Sequence, residues 1–323
     1  MKSTVCVAGI QCLPGQKTSE IITIPGTAYR MPFTIINGNE DGKKIFITAG
    51  VHGCEYPGIQ AAVELSQELD PAKVRGLIVI IPAFNLSALY GRRAYVCPED
   101  EESKNYNHIF PGDRNGTTAE RVAAYVSEEI VPMMDLHVDL HSGDITEKLV
   151  EFIDVCNSKD PKIVEWCTEI CKHTSFTHRI NSNGRTEVYN SSAIDRGVPA
   201  ILFERGGLGQ VNRDEIDRDK ADLISIMRYI GILPGKPLDN SAGQIFYPRH
   251  HWGSAGATGL FYKFADTGDE IRKGQKIGEI RDIFGNVLEE IFAEFDAHIR
   301  LSNNTLGIAK GNDTFMYGSI REE

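Results

Sequence analysis

The segment "IFITAGVHGCEYPG" (45–58) joins an apolar run rich in β-branched residues to a glycine-containing turn that holds His52 and Glu55. The apolar run predicts a buried β-strand, and Pro57 suits the first turn of a following helix. A strand that passes through a short turn into a helix is the repeating unit of an α/β fold. The turn therefore places an imidazole and a carboxylate at the carboxyl end of a strand.

Three further segments read as buried strands, and helical patterns lie between them. They are "GLIVIIPAF" (76–84), "MMDLHVDLH" (133–141) and "PAILFERGG" (199–207). One of the intervening helices begins at a capping box formed by Thr117 and Glu120. This alternation predicts an α/β fold with a mixed, mostly parallel sheet flanked by helices.

The composition changes after the stretch "GILPGKPLDNSAGQ" (231–244), whose Pro, Gly and Asn residues are typical of a domain boundary. Beyond it, short alternating segments separated by Gly and Asp predict a compact all-β unit. We therefore predict a catalytic domain at 1–235 and a small β-domain at 236–323.

The charge balance limits the class of partner. With 45 acidic and 34 basic residues, the formal net charge is -11, which argues against nucleic acid or an anionic membrane as a partner. No apolar run approaches the ~20 residues of a membrane span, and the start of the chain is a poor signal peptide. Seven cysteines without a paired framework predict a reducing, cytoplasmic location. A small-molecule substrate fits these features best.

Polar side chains stand where the predicted strands end, which is where open parallel sheets bind ligands. His141 ends the 133–141 segment, and Glu204 follows the apolar run "AILF". Two imidazoles and one carboxylate, from His52, His141 and Glu55, make up the ligand set of a catalytic zinc with a fourth position open. Glu204 then remains for proton transfer. A polar loop without metal is the alternative for the His-x-x-Glu pattern taken alone.

Two more polar residues lie on the strand that ends at His141. Asp139 shares a strand face with His141 and is expected to orient an imidazole, a solvated or capping role being the alternative. His137 lies further from the strand end, and we expect it to be structural.

Five blocks occur in a fixed order: "GVHGCEYPG", "AFNLSALYGRRAYVCPED", "NYNHIFPGD", "DLHSGD" and "GVPAILFERGG". In this order they resemble the succinylglutamate desuccinylase/aspartoacylase family of zinc-dependent deacylases, which are relatives of the M14 carboxypeptidases. The tail "YKFADTGDEIRKGQKIGEIRDIFGNVL" is similar to the biotinyl/lipoyl-type β-domain of many bacterial members. The resemblance implies a zinc carboxypeptidase-like fold and one zinc ion per chain.

The resemblance also implies roles for individual residues. The family's zinc ligands correspond to His52, Glu55 and His141. Its general base and acid corresponds to Glu204. The arginine that polarises the scissile carbonyl corresponds best to Arg92, with the adjacent Arg93 as a close competitor that would otherwise bind substrate.

The chain departs from the family at its carboxylate clamp, which usually reads Asn-Leu-Asn-Arg before Phe-Pro-Gly. Here the block is "NYNH" (105–108), so Asn107 is kept and His108 replaces the arginine. An imidazole lacks the two-pronged fork of a guanidinium and is largely neutral above pH ~6.5. Either another arginine compensates, with Arg205 and Arg185 as candidates, or the substrate has no carboxylate at this place.

These features predict a hydrolase that cleaves the amide bond of a small N-acylated amino compound. An M14-type metallocarboxypeptidase is an alternative, although it would need a strong carboxylate clamp. A non-catalytic binding protein on the same fold is a third possibility, which the retained Glu204 opposes. The C-terminal β-domain is expected to shape the entrance of the site or to form a contact in a homo-oligomer.

Overall fold

The computed structural model describes residues 2–95, 105–182 and 189–321. In these ranges the helices are α1 (Tyr56–Glu68), α2 (Leu86–Gly91), α3 (Thr118–Tyr125), α4 (Pro161–Cys171), α5 (Tyr189–Asp195) and α6 (Arg213–Tyr229). The strands before the predicted domain boundary are β1 (Val5–Val7), β2 (Ile10–Cys12), β3 (Gln16–Thr23), β4 (Arg30–Asn37), β5 (Glu40–Ala49), β6 (Arg75–Ile81), β7 (Leu136–His141), β8 (Glu147–Leu149), β9 (Phe152–Val155), β10 (His178–Ile180) and β11 (Ala200–Glu204). Those after it are β12 (Ile245–Tyr247), β13 (Arg249–Ser254), β14 (Gly259–Lys263), β15 (Glu270–Ile271), β16 (Lys276–Arg281), β17 (Val287–Phe292), β18 (Ala297–Asn303), β19 (Gly307–Ile308) and β20 (Asp313–Ser319).

The central sheet has the order β12-β10-β9-β11-β7-β5-β6-β4-β3 in the described part of the chain. β5, β7 and β11 are parallel neighbours, whereas β9 runs antiparallel to β11 and β4 runs antiparallel to both β3 and β6. The predicted mixed, mostly parallel sheet is confirmed. Since parallel strands end at the same edge, the carboxyl ends of β5, β7 and β11 meet there.

Helices cover both faces of this sheet because its strands are apolar on both sides. Along β5, Phe46 packs in the core beneath α3 and α5, while Ile45 and Ile47 pack in the core beneath α1 and α6. Full burial of each such side chain contributes about 1.5–3 kcal/mol. The predicted capping box of α3 is present, with Thr117 N donating to Glu120 Oε2 at 2.7 Å and Glu120 N donating to Thr117 Oγ1 at 3.3 Å.

The C-terminal part consists of two antiparallel sheets over a shared apolar core, as the predicted all-β unit requires. One of these sheets also includes β8 from the N-terminal part, in which Leu149 lies opposite Leu301 of β18. The two parts of the chain are therefore joined by strand pairing as well as by the connecting segment.

The domain boundary between residues 235 and 236 remains a prediction. The short strand β12 pairs in parallel with β10 and forms one edge of the central sheet, although the prediction assigned it to the β-domain. A three-residue strand after a turn-rich segment leaves no periodic signal in the sequence. None of the helices in the described ranges combines the length and apolar character that a membrane crossing requires.

Candidate active site

The central sheet brings three predicted ligands together. His52 and Glu55 lie in the turn between β5 and α1, and His141 is the last residue of the adjacent strand β7. One ligand atom from each of the three residues lies within 4.8 Å of the others. The parallel register of β5 and β7 therefore produces the cluster that the spacing predicted.

Both imidazoles approach the same carboxylate through Nδ1. His52 Nδ1 lies 2.6 Å from Glu55 Oε1, and His141 Nδ1 lies 3.0 Å from Glu55 Oε2. Ser142 N also donates to Glu55 Oε2, at 3.1 Å, which fixes the carboxylate. Two nitrogens and one oxygen facing each other form a donor set that suits zinc.

The remaining ring nitrogens are held by acceptors of the protein. His52 Nε2 lies 2.8 Å from Asn105 Oδ1, and His141 Nε2 lies 3.1 Å from Asp139 Oδ2. A proton held on each Nε2 leaves the Nδ1 lone pairs for a metal, as is usual for histidine ligands. The predicted contact of Asp139 with an imidazole is thus present, and its orienting role remains a prediction. Asn105 was not predicted in this role, because its block was interpreted only as a carboxylate clamp.

The carboxylates around the two histidines also favour positive charge in the cluster. Burial opposes protonation of His141, but the carboxylates of Asp139 and Glu55 outweigh it and raise the His141 pKa well above its ordinary value. Burial would raise the pKa of Glu55, but the two imidazoles lower it to about 2. A cluster that stabilises a cation in this way suits a divalent metal ion.

His137 is not part of the cluster. It is buried, stacks on Phe46 with 5.0 Å between ring centroids, and places Nε2 2.8 Å from Thr48 Oγ1. Its predicted structural role is consistent with this position in the core.

Glu204 ends β11 and lies opposite His141 in the parallel register of β11 and β7. Its side chain lines a cavity beside the cluster, and burial raises its pKa well above the ordinary value. A carboxyl group with a raised pKa can both accept and return a proton near neutral pH. This placement suits the predicted general base.

The cavity has a volume of about 1010 Å³ and lies between the end of the central sheet and the C-terminal β-domain. Side chains of the central sheet form its floor: Phe152, Asp154, Ile180, Leu202 and Glu204. The C-terminal domain contributes the facing wall, including His250, Trp252, Asn303, Thr305 and Asp313. This lining is consistent with the expectation that the domain shapes the entrance of the site, and a contact in a homo-oligomer remains the alternative.

The altered clamp block also reaches the cavity. Residues Tyr106–His108 form a 3-10 turn, and Asn107 and His108 line the cavity. Asn107 Oδ1 accepts a hydrogen bond from Tyr189 N at 3.3 Å, which ties the turn to α5. His108 is exposed, so its ring borders the open space.

The two arginines lie at the rim. Arg92 closes α2 in a left-handed conformation with φ 55°, and both Arg92 and Arg93 are exposed. The next residues approach the cluster, since Gly53 N donates to Ala94 O at 3.0 Å and the Tyr95 ring lies edge-on to His52 at 5.7 Å. Neither guanidinium lines the cavity in this structure. Polarisation of the scissile carbonyl by either one remains a prediction.

The predicted role of Arg205 in substrate binding is wrong. Its side chain is completely buried away from the cavity and stacks on Phe176, with the guanidinium carbon 3.9 Å from the ring centroid. Its nitrogens donate at 2.7–3.0 Å to four side chains, those of Glu151, Asp219, Asp222 and Ser175. A guanidinium engaged in this way has little capacity left for a ligand. The other candidate, Arg185, lies outside the described residues.

Comparisons with known proteins agree with this architecture. The family model described as the succinylglutamate desuccinylase/aspartoacylase catalytic domain matches residues 41–230. A curated relative, the N-alpha-acetyl-L-2,4-diaminobutyric acid deacetylase of Halomonas elongata, is 28% identical over 262 residues, which cover 79% of this chain and 75% of the relative.

Two solved structures share the fold over almost the whole chain. The succinylglutamate desuccinylase/aspartoacylase of Rhodobacter sphaeroides has a TM-score of 0.82 at 22% identity and covers 95% of this chain and 96% of its own. The product-bound ectoine utilization protein EutE (DoeB) of Ruegeria pomeroyi has a TM-score of 0.81 at 24% identity, with coverage of 98% and 96%.

Proposed function

Because the chain belongs to the succinylglutamate desuccinylase/aspartoacylase family, we propose that it is a zinc-dependent deacylase that hydrolyses the amide bond of a small N-acylated amino compound. The observation that carries this proposal is the convergence of His52, Glu55 and His141 at the strand ends, next to a cavity that Glu204 lines. The Halomonas elongata relative, which is named for removal of an acetyl group from an amino compound, supports the same type of reaction.

The three residues fit a zinc ion because both imidazoles present Nδ1 while Asn105 and Asp139 hold their Nε2 atoms. A zinc ion bound by them would supply Lewis-acid activation of the amide carbonyl and a more acidic water. We propose one such ion per chain.

The side chains of the protein perform the proton transfers. Glu204 removes a proton from the attacking water and returns it to the nitrogen of the departing amine. Burial raises the pKa of this carboxyl group well above its ordinary value, which favours uptake of the proton from water. The rim arginine, Arg92 or Arg93, stabilises the negative charge that develops on the amide oxygen. Asn107 and His108 contact the substrate from the side of the 3-10 turn.

A metallocarboxypeptidase is less well supported. Trimming a peptide requires a strong cation for the terminal carboxylate. Arg205 is unavailable, and no lysine or arginine is among the described residues that line the cavity. A non-catalytic binding protein would have no use for the buried carboxyl group of Glu204 beside the metal ligands.

We also propose a cytoplasmic location. The cysteines at six described positions are free thiols, and five of them are buried, as expected in a reducing compartment. A homo-oligomeric contact through the C-terminal β-domain remains a prediction.

The proposal is tested by metal analysis and amine release. The purified protein should contain one zinc per chain and release amine from acetyl, succinyl or aspartyl amides in preference to short peptides. His52→Ala should lose most of the zinc, since two ligands of the chain hold the ion poorly. A full equivalent of zinc in His52→Ala, or turnover of peptides alone, would contradict the proposal.

A further inference from the structure

The C-terminal β-domain directs one face of a strand at the cavity. His250, Trp252 and Ser254 occupy alternate positions of β13, and all three line the cavity. Alternate side chains of a strand point to the same side of its sheet, so this face of β13 borders the space in which the proposed substrate binds. Trp252 is the largest side chain on this face and is 47% exposed.

The opposite face of β13 is closed by the core of its own domain. Arg249 lies over Phe295, with the guanidinium carbon 3.8 Å from the ring centroid, and His251 stacks on Tyr317 with 4.9 Å between centroids. Trp252 has no such stacking partner among the residues that the structure describes. Its indole face is therefore available to a ligand.

An apolar cluster between the two parts of the chain reaches the same wall. Trp252 lies directly opposite Met316 of β20, and directly opposed residues of paired strands point to the same face. Met316 is fully buried in one cluster with Phe152 and Ile180 of the central sheet, and these two residues also line the cavity floor. The indole therefore extends a buried apolar surface into the cavity.

The backbone beside Trp252 is irregular and tightly packed. The pairing of β13 with β20 changes register between Trp252 and Ser254. At the intervening Gly253, a Cβ would lie 3.0 Å from Thr314 Oγ1 and 3.4 Å from Phe315 O. Bulges of this kind occur beside active sites, where they set the direction of a side chain. The register shift therefore helps to hold the indole at the cavity wall.

We propose that Trp252 is a specificity-determining residue that binds an apolar group of the substrate away from the amide bond. An indole exposes a large apolar surface, and covering that surface is favourable. The group that covers it belongs to the substrate, since Glu204 lines the same cavity. The substrate class is then the N-acyl amino compounds with an apolar chain or ring on the acyl or the amine side. This inference rests on the proposed deacylase function.

Wild-type kinetics on three neutral amides test the inference. N-methylacetamide has no chain, N-methylhexanamide has an apolar chain on the acyl side, and N-hexylacetamide has one on the amine side. We expect kcat/KM of one of the longer compounds to exceed that of N-methylacetamide by about 10- to 100-fold, because each buried methylene strengthens binding. The better of the two assigns the apolar group to its side of the amide. Equal or lower kcat/KM for both longer compounds would overturn the inference and leave the deacylase function intact.

Substitution of Trp252 assigns the preference to one residue. In Trp252→Ala, the ratio of kcat/KM for the better long compound to that for N-methylacetamide should fall by about tenfold. Trp252→Phe should keep most of the preference, because it retains an aromatic face. Trp166→Phe is the control and should keep the wild-type ratio, since Trp166 lies on α4 and packs against the core of the central sheet. An unchanged ratio in a folded Trp252→Ala protein would show that the indole does not bind the substrate.

Fluorescence provides a readout that needs no turnover and also decides if Trp252→Ala does not fold. The chain has two tryptophans, so Trp252 is the only one left in Trp166→Phe. The better long compound should shift the emission of this variant to shorter wavelength, because the indole leaves water, and N-methylacetamide should not. Trp252→Phe, which reports Trp166, should show no shift with either compound.

Failure of the inference and failure of the deacylase function give different results. A shift in Trp166→Phe with one of the longer compounds, without hydrolysis of any amide by the zinc-loaded protein, would contradict the deacylase function and support binding at Trp252. Hydrolysis without a shift in Trp166→Phe would contradict the inference alone. Absence of both hydrolysis and a shift would contradict both.

Discussion

Two charged clusters lie at the end of β11, where the adjacent residues Glu204 and Arg205 belong to different clusters. Glu204 lines the cavity beside the histidines, whereas Arg205 is buried among Glu151, Asp219 and Asp222. In the Arg205 cluster, every nitrogen of the guanidinium donates to a side chain inside the protein. In the other cluster, ligand atoms of His52, Glu55 and His141 lie within 4.8 Å of one another, and Glu204 lines the adjacent cavity. The first arrangement pairs its charges inside the protein and supports the fold, whereas the second has room for an ion and a ligand.

The largest expected effect is on the turnover rate, for a substitution of Glu204 beside the proposed metal site. Glu204→Gln should lower kcat by about 10²–10⁴-fold, because an amide of nearly the same shape cannot accept the proton of water. Steady-state kinetics with circular dichroism and metal analysis provide the measurement. The variant should keep its fold and its zinc. Near-normal turnover would place the general base elsewhere.

Arg205→Met tests the contribution of the Arg205 cluster to the stability of the fold. Removal of the guanidinium leaves buried carboxylates without a counter-ion, and we expect a loss of about 3–5 kcal/mol in the free energy of unfolding. Arg213→Met is the control, since Arg213 pairs with Glu64 and Asp217 at the surface and its loss should destabilise the protein much less. Urea unfolding of both variants gives the comparison. Equal losses would show that burial does not distinguish the two clusters.

The destabilisation caused by Arg205→Met should depend on pH. Burial raises the pKa of Asp219 to about 7, although Arg205 acts to lower it. Without the guanidinium this folded-state pKa rises further, and the stability from the protonated form is lost as pH increases through that value. The destabilisation by Arg205→Met should therefore be larger at pH 8 than at pH 5. A destabilisation that is independent of pH would argue against ionisation of these acids as its cause.

Asp139→Asn should have a smaller effect, on metal affinity. It replaces the carboxylate that holds His141 Nε2, and loss of such a partner typically weakens metal binding by about 10–100-fold. Competition with a chromogenic chelator measures the affinity. Asp135→Asn, just before the other end of β7, is the control. Unchanged zinc affinity in Asp139→Asn would mean that the orientation of His141 does not depend on this carboxylate.

The smallest effect is expected for His108→Arg, which restores the residue usual in the family. A guanidinium at this exposed position should change kcat/KM for a neutral acetamide by no more than about fivefold, which corresponds to about 1 kcal/mol. It should add little activity toward N-acyl amino acids. Kinetics on N-butylacetamide and on N-acetyl-4-aminobutyrate, the carboxylate compound with the same scissile bond, check both statements. A gain of more than tenfold on the carboxylate compound would show that a carboxylate does face position 108.

The sequence was sufficient for the part of the site that depends on local patterns. The strands before His52 and His141 have clear apolar runs, and parallel pairing of such strands brings their ends together. The position of Asp139 followed from the two-residue period of a strand. These inferences depend on short-range geometry that every strand obeys.

The rest depends on long-range packing, which the sequence pattern does not contain. Arg205 is adjacent to Glu204, but its partners Asp219 and Asp222 are brought to it only when α6 packs on the sheet. The support of His52 by Asn105 joins residues 53 positions apart. The facing wall of the cavity requires the C-terminal domain to face the sheet, and pairing of β8 with β18 contributes to that arrangement.

The central claim is that one zinc ion binds at the point where His52, Glu55 and His141 converge. Anomalous diffraction at the zinc absorption edge, from crystals of the zinc-loaded protein, tests it most directly. We expect a single strong peak per chain at about 2.0–2.2 Å from Nδ1 of both histidines and from a Glu55 carboxylate oxygen. The absence of a peak at this point, or a peak elsewhere in the chain, would contradict the account.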